Sequence, residues 1–329
     1  MVSPEQQSEW LHKLSSLKVD RARGDPAPHK PIMMLVMCDL AEEKVLNHDR
    51  LVLSGEIAFR FTSYWSVVAS RRSQAPEVRL PFFHLKGDGV LRAFDKFGNP
   101  ATDKKANAEV LVDPALVDCL LDPDFRQKAR LLLITSYFRV EEQAAFAAIL
   151  DLELIEANRL REEAVAYSVQ SAVQTGREAR FRLTVVPAYN YTCALTRYRF
   201  ITVDAGALVD AAHIHPFADS RNNSPSNGLA LSKNAHWMFD RGLWSLDDDF
   251  RVMIKPDRYQ EAGPEALCIA QYEGRQILLP SGDELRPSLA HLAWHRNRHN
   301  FDLPNVFRPM SVPQIQPLQA QHCSPSPMM

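Results

Sequence analysis

Residues 211–242 read AAHIHPFADSRNNSPSNGLALSKNAHWMFDRG, and the reading of this stretch sets the reading of the whole chain. It holds His213, His215, Asn227, His236 and Asp240, separated by turn-forming residues. The apolar run VDAGALVDAAHI predicts a strand that presents His213 at its end, ahead of a loop, PFADSRNNSPSNG. Asn227 stands just before GLALSKNAHWMFDRG, where His236 and Asp240 are four apart and share one face of a helix. An imidazole and a carboxylate at that spacing can hold one cation, and they suit Mg, Mn, Ni, Co or Zn without selecting among them. His213, if it is not itself a ligand, is free to take a proton from water near neutral pH. The cation would stabilise charge on the oxygens of a phosphodiester. Asn227 cannot titrate, but its amide can fix the orientation of a neighbour. The expectation is single-metal, general-base hydrolysis of nucleic acid. His215 is expected to be a DNA contact or a bystander.

Outward from this stretch, the composition is that of a globular protein. The apolar fraction is 46% and the charged fraction 24%, and 329 residues are long for one core, so two domains are expected. No apolar run approaches the roughly 20 residues that span a bilayer. The start, MVSPEQQSEWLHKLSSLKVD, lacks the apolar segment of a secretory signal, so the expected location is cytoplasmic, with no membrane partner. Cys38, Cys119, Cys193, Cys268 and Cys323 are scattered without a CxxC pair, which argues against a disulfide framework and a four-cysteine zinc site. A net charge of −2 does not announce a nucleic-acid binder. Local clusters are more suggestive: Arg21 and Arg23 precede His29 and Lys30, and Arg71 and Arg72 precede Arg79, His84 and Lys86. Such clusters are usually solvated faces, although phosphate binding needs few well-placed cations.

The N-terminal pattern predicts helices over 4–17, from Pro31 through PIMMLVMCDLAEEK, over GEIAFRFTSYWSVV and over 123–137. In RLPFFHLKGDGVLRAF, Gly87-Asp88-Gly89 between aromatic-rich runs predicts a β-hairpin. From Glu141 to about Gln174 the chain has no Gly or Pro, which predicts one long linking helix. RFRLTVVPAYNYTCALTRYRFITVD reads as strand and turn. In SLAHLAWHRNRHNF, His291, His295 and His299 fall on one helical face, where packing is a better reading than a zinc stripe. The tail FRPMSVPQIQPLQAQHCSPSPMM, rich in Pro, Gln and Ser, is expected to be disordered.

The pattern Cys193-Ala-Leu-Thr, then AAHIHPF, then SNGLALSKNAHWMFDRG resembles the HNH (ββα-metal) endonuclease family, and more narrowly the HNH domain of bacterial predicted restriction endonucleases. The likeness covers roughly residues 185–250. It implies that His213 is the general base, that Asn227 holds loop and base geometry, that His236 is a metal ligand, and that Asp240 falls where some members carry a second helical ligand. Many relatives place another ligand directly before the base, where this chain has Ala212. Asp210 is near but would face the other side of a strand.

The motifs APHKPIMMLVM and RLPFFHLKGDG resemble the sulfur-binding domain of phosphorothioate-dependent type IV restriction enzymes, over roughly residues 10–140. That family places a proline in an apolar sulfur pocket flanked by basic residues. The resemblance puts Pro81 at the pocket proline and His29 and Lys30 in the basic loop; together with the charge clusters, the expected DNA contacts are His29, Lys30, Arg71, Arg72, Arg79, Leu80, Pro81 and His84. Leu80 stands where the family often has Tyr.

These readings combine into an α+β protein. Residues 1–140 form a mixed helical and β-hairpin DNA-recognition domain, 141–178 a linking helix, 179–305 a ββα-metal nuclease domain, and 306–329 a disordered tail. The expected function is a metal-dependent DNA endonuclease with a divalent cofactor, Mg or Mn first and Ni, Co or Zn as alternatives. It would act on double-stranded DNA, with phosphorothioate modification as the signal. Cutting both strands with one site per chain would call for a homodimer. The alternatives are an HNH defence nuclease gated by another modification or signal, and a DNA-binding reader with an inert nuclease site.

Overall fold

A computed structural model of the chain describes residues 2–22, 24–71, 76–152, 166–262 and 268–301. The architecture is α+β, with helices and small antiparallel sheets. Helix α1 (Pro4–Ser15) starts at a capping box, in which Ser3 and Gln6 satisfy each other's backbone amides. Helix α2 (His29–Glu42) is buried on nearly every side from Pro31 to Cys38 and forms the axis of the first core. A short strand β1 (Leu51–Val52) and α3 (Gly55–Trp65) follow, then a 3₁₀ turn over Ser66–Arg71.

Residues 79–89 depart from the expected hairpin. They form α4 (Arg79–His84) and a 3₁₀ turn, Leu85–Asp88, that ends on Gly89 in the left-handed region. The reason lies in Asp88, which is not the tip of a hairpin here: its side chain accepts the Lys18 amide at 2.8 Å and ion-pairs with Lys30 Nζ at 2.6 Å. Tertiary partners have overridden a local turn signal. The sheet lies further along, with β2 (Leu91–Phe94) and β3 (Glu109–Val112) antiparallel in the order β1-β3-β2. Asp113-Pro114 and Asp122-Pro123 then open α5 (Pro114–Leu121) and α6 (Pro123–Tyr137), each Asp accepting a first-turn amide and each Pro sitting where no amide is needed.

The single long helix expected from 141 is also corrected. Helix α7 (Val140–Leu150) ends where Asp151 adopts φ +56°, with the Asp151 and Leu152 amides both returning to the Ala147 carbonyl. Helix α8 (Ala166–Ala188) packs against α7, and a Cβ at Gly176 would overlap the Ala145 carbonyl. Gly176 is therefore a close-packing residue inside a helix. The stretch RFRLTVVPA, expected as strand, is the end of α8: Phe181, Val185, Val186 and Tyr189 enter the second core on one face. Burial of that face outweighs the weak helix propensity of the β-branched residues and of Pro187.

Strands β4 (Ile201–Thr202) and β5 (Gly206–Ala207) dock on α3, whose Phe59 belongs to the second core while Ile57 and Phe61 belong to the first. Then come β6 (Val209–His213), the short α9 (Phe217–Ser220), β7 (Gly228–Ser232), α10 (Lys233–Asp240), the pair β8 (Trp244–Leu246) and β9 (Val252–Ile254), and α11 (Leu289–Arg298). Ion pairs Arg199–Glu56 at 2.6 Å and Arg79–Asp204 at 3.1 Å join the two halves. Among the described residues no helix is long and apolar enough to cross a membrane. The tail read as disordered lies outside the described residues.

Candidate active site

Strand, loop and helix around residues 209–240 form a compact ββα unit. β6 and β7 pair antiparallel from Val209↔Ser232 to His213↔Gly228, and α10 follows β7 directly. The intervening loop is closed by Asn227, which is fully buried. Its Oδ1 accepts the His215 amide at 2.8 Å, and its Nδ2 donates to the carbonyls of His215 at 2.9 Å and Asn222 at 3.0 Å. Every hydrogen-bonding direction used here goes to backbone, so Asn227 acts as a clamp and does not line the cavity that His213 faces.

His213 ends β6 half-buried, its ring stacked on Phe181 at 4.0 Å and 7°. Its Nε2 lies 2.7 Å from Asn223 Oδ1. In this amide orientation the oxygen can only accept, so Nε2 carries the proton and Nδ1 keeps the lone pair. Burial lowers the His213 pKa below its ordinary range, against the opposing pull of the Asn223 contact and the Glu178 carboxylate. Burial thus biases the imidazole toward its neutral form, and Asn223 and Phe181 fix the ring's position.

On α10, Ala235 and Phe239 face the core, while His236 and Asp240 share the outer face, with Nε2 and Oδ2 3.4 Å apart. A cavity of about 360 Å³ brings His213, His236 and Asp240 together with Asp219, Arg298 and His299. His236 and Asp240 offer a donor set that fits a divalent cation. Among the described residues no three His, Cys, Asp or Glu side chains gather as a metal site, so the remaining positions would fall to water or substrate oxygens. Ala212 is buried in the core, and Asp210 is engaged with Arg182 at 3.0 Å.

His215, His291 and His295 are packed. His215 stacks on Trp294 at 3.8 Å, and His291 Nε2 lies 3.2 Å from Asn222 Nδ2. His295 is buried between Ser245 Oγ and the Phe239 carbonyl, and burial pushes its pKa down to about 3. Cys193 is buried, its sulfur accepting the Ser232 amide at 3.4 Å. Asn223, Asp219 and Arg298 escaped the sequence reading. Asn223 lay in plain view in SRNNSPSN, but nothing in that run separates it from Asn222.

Residues 193–247 match the family described as HNH endonuclease. The chain therefore carries an HNH endonuclease domain over this segment. Nucleases of this family act on DNA and typically use a divalent metal. Among curated proteins none matches the chain. Among solved structures it is similar to a chain titled "Modification dependent TagI restriction endonuclease", at 22% identity and TM-score 0.27 over 36% of this chain and 37% of that one. A likeness of that degree, spanning about a third of either chain, establishes no shared architecture.

In the N-terminal half, a cavity of about 400 Å³ gathers His29, Lys30, Leu80, Pro81 and His84 with Ala27. These residues come from segments fifty positions apart. Lys30 is less available than its position in a basic loop suggests: its Nζ is held by the Lys18 carbonyl at 2.7 Å and by Asp88. His29 packs on Trp65 at 4.5 Å. Burial, then the nearby Lys30, Lys104 and Lys86, lowers the His84 pKa. Arg79 turns away to Asp204 and lines a different cavity. Arg71 ends the 3₁₀ turn after α3, and Arg72 lies outside the described residues.

Proposed function

We propose that the chain is a metal-dependent DNA endonuclease of restriction type, hydrolysing phosphodiesters with His213 as general base and His236 and Asp240 as metal ligands. The observation that carries this reading is the oriented, neutral His213 facing the same cavity as the His236–Asp240 pair within the HNH segment. His213 Nδ1 takes the proton from an attacking water, while Asn223 and Phe181 hold the ring in place. A divalent cation at His236 and Asp240 would supply charge stabilisation for the phosphodiester oxygens. Arg298, on the cavity wall, adds a cation for the flanking phosphate. Asn227 keeps the loop, and so the base, in register with α10.

The same proposal extends to the signal. The Leu80–Pro81 cavity, apolar and rimmed by His29 and His84, suits a soft, poorly hydrated sulfur on a DNA backbone, so phosphorothioate DNA is the substrate expected. The second reading, a DNA-binding reader with an inert nuclease site, rests on the absence of a third protein ligand among the described residues.

Cleavage of matched plasmids in Mg²⁺ or Mn²⁺ tests both parts. One plasmid is plain, one phosphorothioated and one cytosine-modified. Cutting confined to the phosphorothioated plasmid is the result expected. Cutting of all three removes the sulfur signal and leaves the nuclease. No cutting, together with no calorimetric metal binding, favours the inert reader.

A further inference from the structure

A third cavity, of about 490 Å³, lies where the first core meets Val203 ahead of β5. Its size falls within the roughly 300–1,000 Å³ of ordinary ligand sites. Two firmly built turns form its walls. In the first, Asp95 Oδ1 accepts the amides of Phe97 at 2.8 Å and Asn99 at 2.9 Å, and the Asp95 amide donates to the Asn99 carbonyl at 2.8 Å. Gly98 takes φ +85°, a conformation that suits glycine. This scaffold displays Phe97 at 77% exposure, with Lys96 Nζ 4.9 Å from its ring. A large aromatic ring on so fixed a turn is not a frayed end.

In the second turn, Asp103 Oδ1 accepts the amides of Lys105 at 2.7 Å and Ala106 at 3.0 Å. Asn107 follows at 2% exposure and also lines the cavity. Its Nδ2 donates to the Phe82 carbonyl at 3.3 Å, which fixes the amide's orientation, and its buried Oδ1 has no partner. A buried acceptor left unpaired is costly, and a donor from a bound ligand would satisfy it. Lys96 and Lys105 stand beside it, and Asp95 is occupied by its own turn. An exposed aromatic face, a lone acceptor and flanking lysines match one chemistry: a nucleobase on a phosphate backbone.

We propose that this cavity takes an unstacked nucleobase of bound DNA, its ring stacked on Phe97, an N–H of its edge donated to Asn107 Oδ1, and its neighbouring phosphates held by Lys96 and Lys105. The proposal rests on the reading of the chain as a DNA nuclease, and it makes the seam between the two halves a second point of DNA contact.

The test is fluorescence anisotropy of the full chain in EDTA, titrated into a fluorescein-labelled single-stranded oligonucleotide. Stacking of a base on an aromatic ring is worth about 1–3 kcal/mol, so Phe97→Ala is expected to weaken binding roughly fivefold or more, with an unchanged melting temperature. Phe97→Trp is expected to keep the affinity and to show added emission that is quenched by the strand. Binding by Phe97→Ala within about twofold of the wild type overturns the proposal and leaves the nuclease reading standing. No binding of either single-stranded or duplex DNA by the wild type removes the DNA reading itself, and this inference with it.

Discussion

The proposed nuclease centre and the Leu80–Pro81 pocket are built in opposite ways. The centre comes from one stretch of about thirty residues, in which a strand end, a clamped loop and a helix face bring His213, His236 and Asp240 to one cavity. The pocket is assembled from α2, the loop before it and α4, and its lysine is tied to Asp88 rather than turned to a ligand. Local assembly leaves a spacing that sequence records. Assembly by tertiary packing leaves only residue types, and a residue type does not say whether a cation holds DNA or holds the fold.

Metal removal separates the two most sharply. EDTA is expected to abolish cleavage while leaving melting temperature nearly unchanged, because the proposed ligands, His236 and Asp240, lie on the open face of α10. His236→Ala and Asp240→Ala should each weaken metal affinity by at least the roughly 10–100-fold that losing an outer partner costs, read by calorimetry. Unchanged affinity in both variants would place the metal elsewhere.

Lys30→Ala should act on the fold instead. Lys30 and Asp88 side chains are 14% and 4% exposed, so the variant strands a buried carboxylate. The expected loss is at or below about 3–5 kcal/mol by chemical denaturation. A variant of full stability with weakened DNA binding would return Lys30 to the DNA surface, where the sequence had placed it.

Asn227→Ala mixes the two roles. It leaves the His215 amide and two carbonyls unpaired, for about 2–3 kcal/mol of stability, and slackens the loop that carries the base. Stability and rate should fall together, whereas the ligand variants lose rate alone.

The smallest effect is on the pH profile. If His213 is the proposed base it must be neutral to accept a proton, and because burial lowers its pKa, the acidic limb of the single-turnover rate should lie below the ordinary histidine value of about 6.5. Asn223→Ala removes a contact that favours the charged form, so the limb should move lower still while the maximal rate falls. A limb that moves up would mean that Asn223 does not act on this ring.

What sequence could and could not reveal follows the same division. The helix at 123–137, the strand ending at His213 and the His236/Asp240 face were legible because capping residues and four-residue spacing are local signals. The break at Asp151 was not, since a left-handed Asp is invisible without the α7–α8 packing that selects it. Thr184-Val185-Val186-Pro187 carries a strand composition, and only the demand of the second core makes it helix. Gly87-Asp88-Gly89 misled because Asp88 found partners seventy and fifty-eight positions away. Asn223 was hidden by its neighbour, for Asn222 and Asn223 differ in role solely through the loop's path.

The central claim is that His213 performs the proton transfer of a phosphodiester hydrolysis. The most direct measurement is single-turnover cleavage of plasmid DNA in excess Mn²⁺ by the wild type and by His213→Ala, with melting curves to confirm equal folding. Loss of the general base predicts a rate reduced by about 10²–10⁴-fold at unchanged metal affinity. A folded His213→Ala protein that cuts at the wild-type rate would contradict the account.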